Sequence, residues 1–106
     1  MEIEALPDDE LPDGSMRLVA AGRDTIGLYR CGGMLYAIED RCSHDDGPLC
    51  EGEWDAAACE VVCPRHGARF DLRTGAALTL PAYLPVESYP VRVREDGMIV
   101  VDVGDE

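Results

Sequence analysis

Two short stretches constrain this chain more than anything else in it: "CSHDDGPLC", from Cys42 to Cys50, and "CPRHG", from Cys63 to Gly67. The chain contains two histidines, His44 and His66, and each follows a cysteine by two or three residues. Each stretch therefore presents one soft thiolate and one imidazole from a turn rich in glycine and proline, and four such ligands can close a metal site. Whatever the chain folds into must bring these two loops, separated by 18 residues between His44 and Cys63, to one place.

Two arrangements satisfy the ligands: one zinc ion held by all four, or a 2Fe-2S cluster with the cysteines on one iron and the histidines on the other. Common zinc modules gather cysteines in one knuckle and histidines in another, whereas here each loop supplies one of each. A dinuclear centre accounts for that mixture, because both loops must reach both irons. Gly67 lets backbone approach such a centre closely and Pro64 stiffens the turn.

The rest of the chain reads as strands. Turn signals at Asp13-Gly14, Gly32-Gly33, Thr74-Gly75 and Asp96-Gly97 separate short segments rich in branched and aromatic residues: "MRLVAA", "TIGLYR", "MLYAIE", "EVV", "ARFDL", "YPVRVR" and "MIVVDV". Val91 and Val93 alternate with Arg92 and Arg94, and Ile99, Val101 and Val103 repeat the period of two. Hairpins are expected at Gly32-Gly33 and Asp96-Gly97. "DDELPDG" has room for one short helical turn, and no segment offers a helix of ordinary length. The fold class expected is all-β, a small antiparallel sandwich or barrel, with a loop-rich cluster-binding insertion over residues 41–85. At 106 residues, 46% of them apolar, the chain suits a single domain, residues 1–106.

Charge excludes some partners. The formal net charge is −13, with nine Lys and Arg residues, which disfavours nucleic acid and anionic membranes. The acidic ends, "MEIEALPDDELPD" and "VGDE", read as solvated termini or as a steering field toward a basic partner. With no signal-peptide pattern and no apolar run of about 18 residues, a cytoplasmic setting is expected. There, five cysteines read as metal ligands and free thiols before disulfides. Cys31 and Cys59 are expected to be small buried hydrophobes, and a Cys50–Cys59 pairing is the alternative. Trp54 is expected to cover the insertion rather than to act in redox chemistry.

Cys42-x-His44 with Cys63-Pro-x-His66-Gly67 resembles the Rieske iron-sulfur motif, and the following "GARFDLRTG" resembles bacterial Rieske-type ferredoxins. The resemblance runs through nearly the whole chain. It implies a Rieske fold, one 2Fe-2S cluster on Cys42, His44, Cys63 and His66, and electron transport rather than enzymatic catalysis. It also implies a flavin-containing reductase as donor and a non-haem iron oxygenase as acceptor, with a role in iron-sulfur cluster assembly or as a small subunit of a nitrite-reductase-type complex as further settings. A monomer suits such a carrier, and a zinc-stabilised interaction module is the alternative of another class. Pro81, in "TLPAYLP", resembles the family's cluster-shielding proline loop, with an ordinary turn as the plainer reading. Asp45, Asp46 and Arg65 flank the ligands and suit either partner docking or simple exposure.

The sequence departs from the high-potential branch of the family. That branch carries an extra cysteine in each loop, where this chain has Gly47 and Arg65, so the bridging disulfide is absent. The same branch has serine and tyrosine hydroxyls donating to sulfur, at positions matching Ala68 and Phe70 here. Two ferric ions, two sulfides and two thiolates sum to zero charge, which raises the potential above all-cysteine clusters. Losing hydrogen bonds to sulfur lowers it again within the Rieske range.

Overall fold

The structure is a computed structural model and describes residues 1–22, 24–43 and 47–104. Among the described residues ten strands form three antiparallel sheets, and the helical content is one 3-10 turn at Asp8–Glu10, where the sequence has room for one. β1 (Glu2–Pro7), β9 (Val91–Val93) and β10 (Met98–Asp102) form a sheet in the order β1-β10-β9. β2 (Met16–Ala21), β3 (Asp24–Cys31), β4 (Met34–Glu39) and β8 (Ser88–Tyr89) form the second, in that order. β5 (Trp54–Asp55), β6 (Glu60–Val62) and β7 (Arg69–Asp71) form the third, inside the segment expected to be the insertion.

The second sheet lies between the other two, and β3 shows why. Alternate residues of a strand point to opposite faces. Ile26 and Leu28 pack with Leu6, Ile99 and Val101 in one buried cluster, while Tyr29 and Cys31 pack with Val61, Phe70 and Leu72 in another. Being covered on both sides, β3 shows no clean polar alternation. Gly27 shares the face of Tyr29, and a Cβ there would stand 2.4 Å from the Cys50 sulfur, so the strand needs a glycine for the third sheet's loops to close onto it. The Tyr29 and Trp54 rings meet edge to face at 4.9 Å between centroids, so Trp54 covers this junction as expected.

Both expected hairpins form, with Cys31 paired to Met34 across Gly32-Gly33, and Arg94 N–H donating to the Met98 carbonyl across Asp96-Gly97 at 2.8 Å. The acidic amino terminus is not a loose solvated end. Glu2–Pro7 is an edge strand on β10, with Ile3 opposite Val101 and Leu6 buried, while Glu2 and Glu4 project outward to Arg92 and Arg94 at 2.8 and 2.7 Å. The alternation "EIEAL" is a strand signal masked by its charge.

The cysteines require a second correction. Cys31 and Cys59 are buried, as expected, but they are joined in a disulfide rather than standing as free thiols. The β5–β6 connection folds back over the end of β3, placing the two Cα atoms 5.9 Å apart, within disulfide range, across a sequence separation of 28. Cys59 takes a left-handed backbone conformation, φ 59°, to reach it. Cys42, Cys50 and Cys63 stay outside the bridge, so the Cys50–Cys59 alternative does not form.

Candidate metal centre

The first loop leaves β4 at Glu39 and is clasped at its base by Asp40. One Asp40 carboxylate oxygen accepts the Leu49 and Cys50 backbone N–H groups at 2.8 and 2.6 Å, and the Asp40 N–H donates to the Thr25 carbonyl of β3 at 2.9 Å. These bonds fix the far end of the loop against its start, with the cysteine-histidine pair between them. Sequence reading missed Asp40; an acidic residue two positions before a ligand gives no signal until its backbone partners are known.

The two loops close alike. Cys42 N–H donates to the Gly47 carbonyl at 2.8 Å, and Cys63 N–H donates to the Ala68 carbonyl at 2.7 Å. Each cysteine thus bonds the carbonyl five residues ahead. In the second loop Gly67 supplies a positive φ of 75° and its N–H returns to the Cys63 carbonyl at 2.9 Å. Gly52 keeps the approach to this loop clear: a Cβ there would fall 2.3 Å from the Val62 carbonyl oxygen and 2.9 Å from Pro64.

Cys42 and Cys63 belong to one buried cluster, at 0% and 1% exposure, whereas His66 is exposed at the tip of the second loop. His44, Asp45 and Asp46 lie outside the described residues, and among those described no three His, Cys, Asp or Glu side chains converge as a complete metal-holding group. The donor set nonetheless fits an iron-sulfur cluster: two water-excluded thiols for one iron and an imidazole at the solvent edge for the other. Cys50, which ends the first motif, is outside it. Burial, with the Asp40 and Glu39 carboxylates adding, pushes its thiol up to about 12, and the neighbouring Tyr29 hydroxyl offsets this in part. A thiol so held stays protonated and inert. Ala68 and Phe70, both fully buried beneath the second loop, carry no hydroxyl.

A strip without charged residues, Gly75 to Val86, contains Pro81 and runs alongside. Ser43 Oγ donates to the Leu84 carbonyl at 2.6 Å, and Leu78 N–H donates to the Arg69 carbonyl at 2.8 Å, so this strip touches both ligand-bearing segments. Arg65 is exposed beside His66.

An all-β scaffold whose two cysteine-bearing loops close alike over a buried thiol pair is the kind that suits an iron-sulfur electron-transfer protein. The chain belongs to the Rieske [2Fe-2S] domain family, whose model matches residues 2–90. It is 46% identical over 98 residues to the 3-phenylpropionate/cinnamic acid dioxygenase ferredoxin subunit of Photorhabdus laumondii, covering 92% of this chain and 90% of that one. The ferredoxin of carbazole 1,9a-dioxygenase from Nocardioides aromaticivorans superposes with a TM-score of 0.87 at 36% identity, covering 95% of this chain and 96% of that one. A ferredoxin solved in complex with the oxygenase of carbazole 1,9a-dioxygenase superposes with a TM-score of 0.88 at 29% identity, covering 99% and 95%. The chain is a Rieske-type ferredoxin with one 2Fe-2S cluster, an electron carrier and not itself a catalyst. The zinc module expected as an alternative falls with that assignment. No helix of the described residues is long and apolar enough to cross a membrane.

Proposed function

We propose that Cys42, His44, Cys63 and His66 hold the cluster, and that this chain works as a single domain carrying electrons between a flavin-containing reductase and a non-haem iron oxygenase of the aromatic-ring dioxygenase kind. The carrying observation is the matched closure of the two loops, each cysteine N–H bonded to the carbonyl five residues ahead, with both cysteines buried in one cluster. The cluster supplies a one-electron couple. The chain's own residues do the rest: Cys42 and Cys63 anchor in the dry interior, Asp40 keeps the first loop shut, and exposed His66 offers a short path to a partner. A radius of gyration of 12.9 Å matches the ~13 Å of one compact domain of this length and supports the single-domain reading. The oxygenase assignment is supported by relatives named as dioxygenase ferredoxin subunits, and a cytoplasmic setting suits the same role.

The test is turnover with the chain as sole link. The reductase and oxygenase of the Photorhabdus laumondii 3-phenylpropionate/cinnamic acid dioxygenase are mixed with NADH and substrate, with and without this chain. Product formation that requires the chain, and that Cys63→Ser or His66→Ala abolishes along with the visible spectrum, is expected. Turnover untouched by adding the chain overturns the reading.

A further inference from the structure

The Cys31–Cys59 bridge sits at the base of the element that carries the second ligand pair. β6 and β7 form a hairpin whose tip is the loop from Cys63 to Ala68. Cys59 immediately precedes β6, and its carbonyl accepts the Leu72 N–H just beyond β7 at 2.9 Å, so the hairpin closes on Cys59. Through Cys31 that base is tied covalently to the end of β3. The 3 residues of β6 alone separate Cys59 from Cys63, so a shift at the base reaches the ligand directly. Cys59 is also held at φ 59°, a left-handed conformation that a residue with a Cβ keeps only when its surroundings impose it.

The bridge is reachable from outside. Cys31 lines a surface cavity of about 340 Å³, together with Gly14, Gly32, Ala57 and Arg73. A Cβ at Gly14 or at Gly32 would meet nothing within 4 Å, so small residues frame an open approach. The Arg73 guanidinium donates to the Ala58 carbonyl at 3.2 Å, one residue before Cys59, and pairs with the Asp71 carboxylate at 3.7 Å. The other charged group of the cavity, the Asp13 carboxylate, is taken up by the Gly33 N–H at 3.0 Å. A guanidinium in this position favours a thiolate, whether attacking or leaving. Asp55 Oδ1 accepts the Ala57 and Ala58 N–H groups at 2.9 and 3.1 Å, bonds that keep the β5–β6 connection turned with the bridge open or closed.

Resting on the ligand set and the cytoplasmic setting proposed above, we infer that Cys31–Cys59 is a thiol-exchange site, opened by a dithiol reductant through this cavity, and that its opening loosens the hairpin's hold on the cluster. In a reducing compartment a bridge between cysteines is ordinarily a reversible one. One thiolate of the reductant attacks the Cys31 sulfur and forms a mixed disulfide, while Cys59 leaves as a thiolate and takes a proton from water. The reductant's second thiol then attacks its own sulfur in the mixed disulfide, releasing Cys31 as a thiol and leaving the reductant oxidised. Two electrons and two protons pass from the dithiol to the bridge, and none passes through the cluster. Freed of the tie, Cys59 relaxes toward an ordinary backbone conformation, and β6 is held by strand pairing and packing alone. The lifetime of the loaded carrier thereby follows the thiol state of its surroundings.

The experiment follows cluster loss from air-oxidised holoprotein by its visible absorbance, in excess EDTA, with and without dithiothreitol. Mass spectrometry of alkylated peptides reports the state of Cys31 and Cys59 in parallel. Without denaturant, dithiothreitol is expected to open the bridge and to shorten the cluster's half-life by about tenfold or more. Replacing it with oxidised glutathione before the colour fades should restore both. Cys31→Ser and Cys59→Ser should show the short half-life throughout and ignore dithiothreitol, which separates the bridge from a direct action on iron. A bridge that opens only after urea unfolds the chain overturns the inference. So does a native opening that leaves the half-life within about twofold, or a variant that responds to dithiothreitol as the wild type does. Wild-type protein that takes up no cluster overturns instead the ligand reading beneath, a result distinct from a cluster indifferent to the bridge.

Discussion

The Cys31–Cys59 bridge sets up a measurement in which two physical pictures diverge. If both cysteines were small buried hydrophobes, replacing either with alanine would cost about 1 kcal/mol, and the two costs would add. The bridge instead spans a sequence separation of 28, and closing a loop of that length removes unfolded-chain entropy worth about 3.5 kcal/mol at 25 °C. Cys31→Ala should therefore lower the midpoint for loss of β-sheet circular dichroism by roughly 15 °C at fixed scan rate. Cys59→Ala should do the same, and the double variant should fall little further, because the second change breaks no second link. Adding reductant should bring the wild type down to the variants and leave the variants where they are. Small, additive shifts with no response to reductant would refute the cross-link.

Three other outcomes follow from single positions. Gly75 has φ 83°, and a Cβ there would lie 2.2 Å from the Val86 carbonyl oxygen, so Gly75→Ala should cost about 3 kcal/mol or more, read as a lowered denaturation midpoint. Phe70→Tyr adds a donor beneath the second loop; a hydrogen bond to sulfur worth about 1 kcal/mol should raise the potential by about 40 mV from the lower part of the Rieske range, as checked by protein-film voltammetry. A wild-type potential above roughly +100 mV would contradict the same argument. Asp96 is held at about 2, below its ordinary 3.8, first by the Arg94 guanidinium and then by the Met98 N–H. Its folded value is depressed, so its stabilisation is complete above the ordinary value and disappears as pH falls through the folded one. The gap between wild type and Asp96→Asn in urea midpoint should therefore be open at neutral pH and close as pH falls toward about 2.

What could be read from residues alone divides along physical lines. β2, β4 and β6 coincide with the segments "MRLVAA", "MLYAIE" and "EVV", because branched runs between glycine turns fix both type and boundary. β1 escaped because its glutamates mimic a solvated tail, although they face arginines across a strand pair. β5 and β8, two residues each, are too short to carry a period. The paired motifs single out Cys42, His44, Cys63 and His66 as the proposed ligands by spacing alone. Asp40, the Cys31–Cys59 bridge and the Ser43–Leu84 bond depend on which distant segments meet, and no local pattern encodes that. The strip at residues 75–86 stands between: its lack of charge is plain in the sequence, but a core segment would look the same, and its outward face is set by the fold.

The ligand set is the centre of the account, and the chain offers a direct way to examine it, because His44 and His66 are its only histidines. Protein grown with 15N-histidine, reduced with dithionite and studied by pulsed EPR should show two coupled histidine nitrogens on one iron, with two irons and two sulfides per chain by analysis. His66→Ala should remove the cluster, and with it both couplings. A cluster with no histidine nitrogen coupled to it, or a colourless protein holding one zinc, would contradict the assignment.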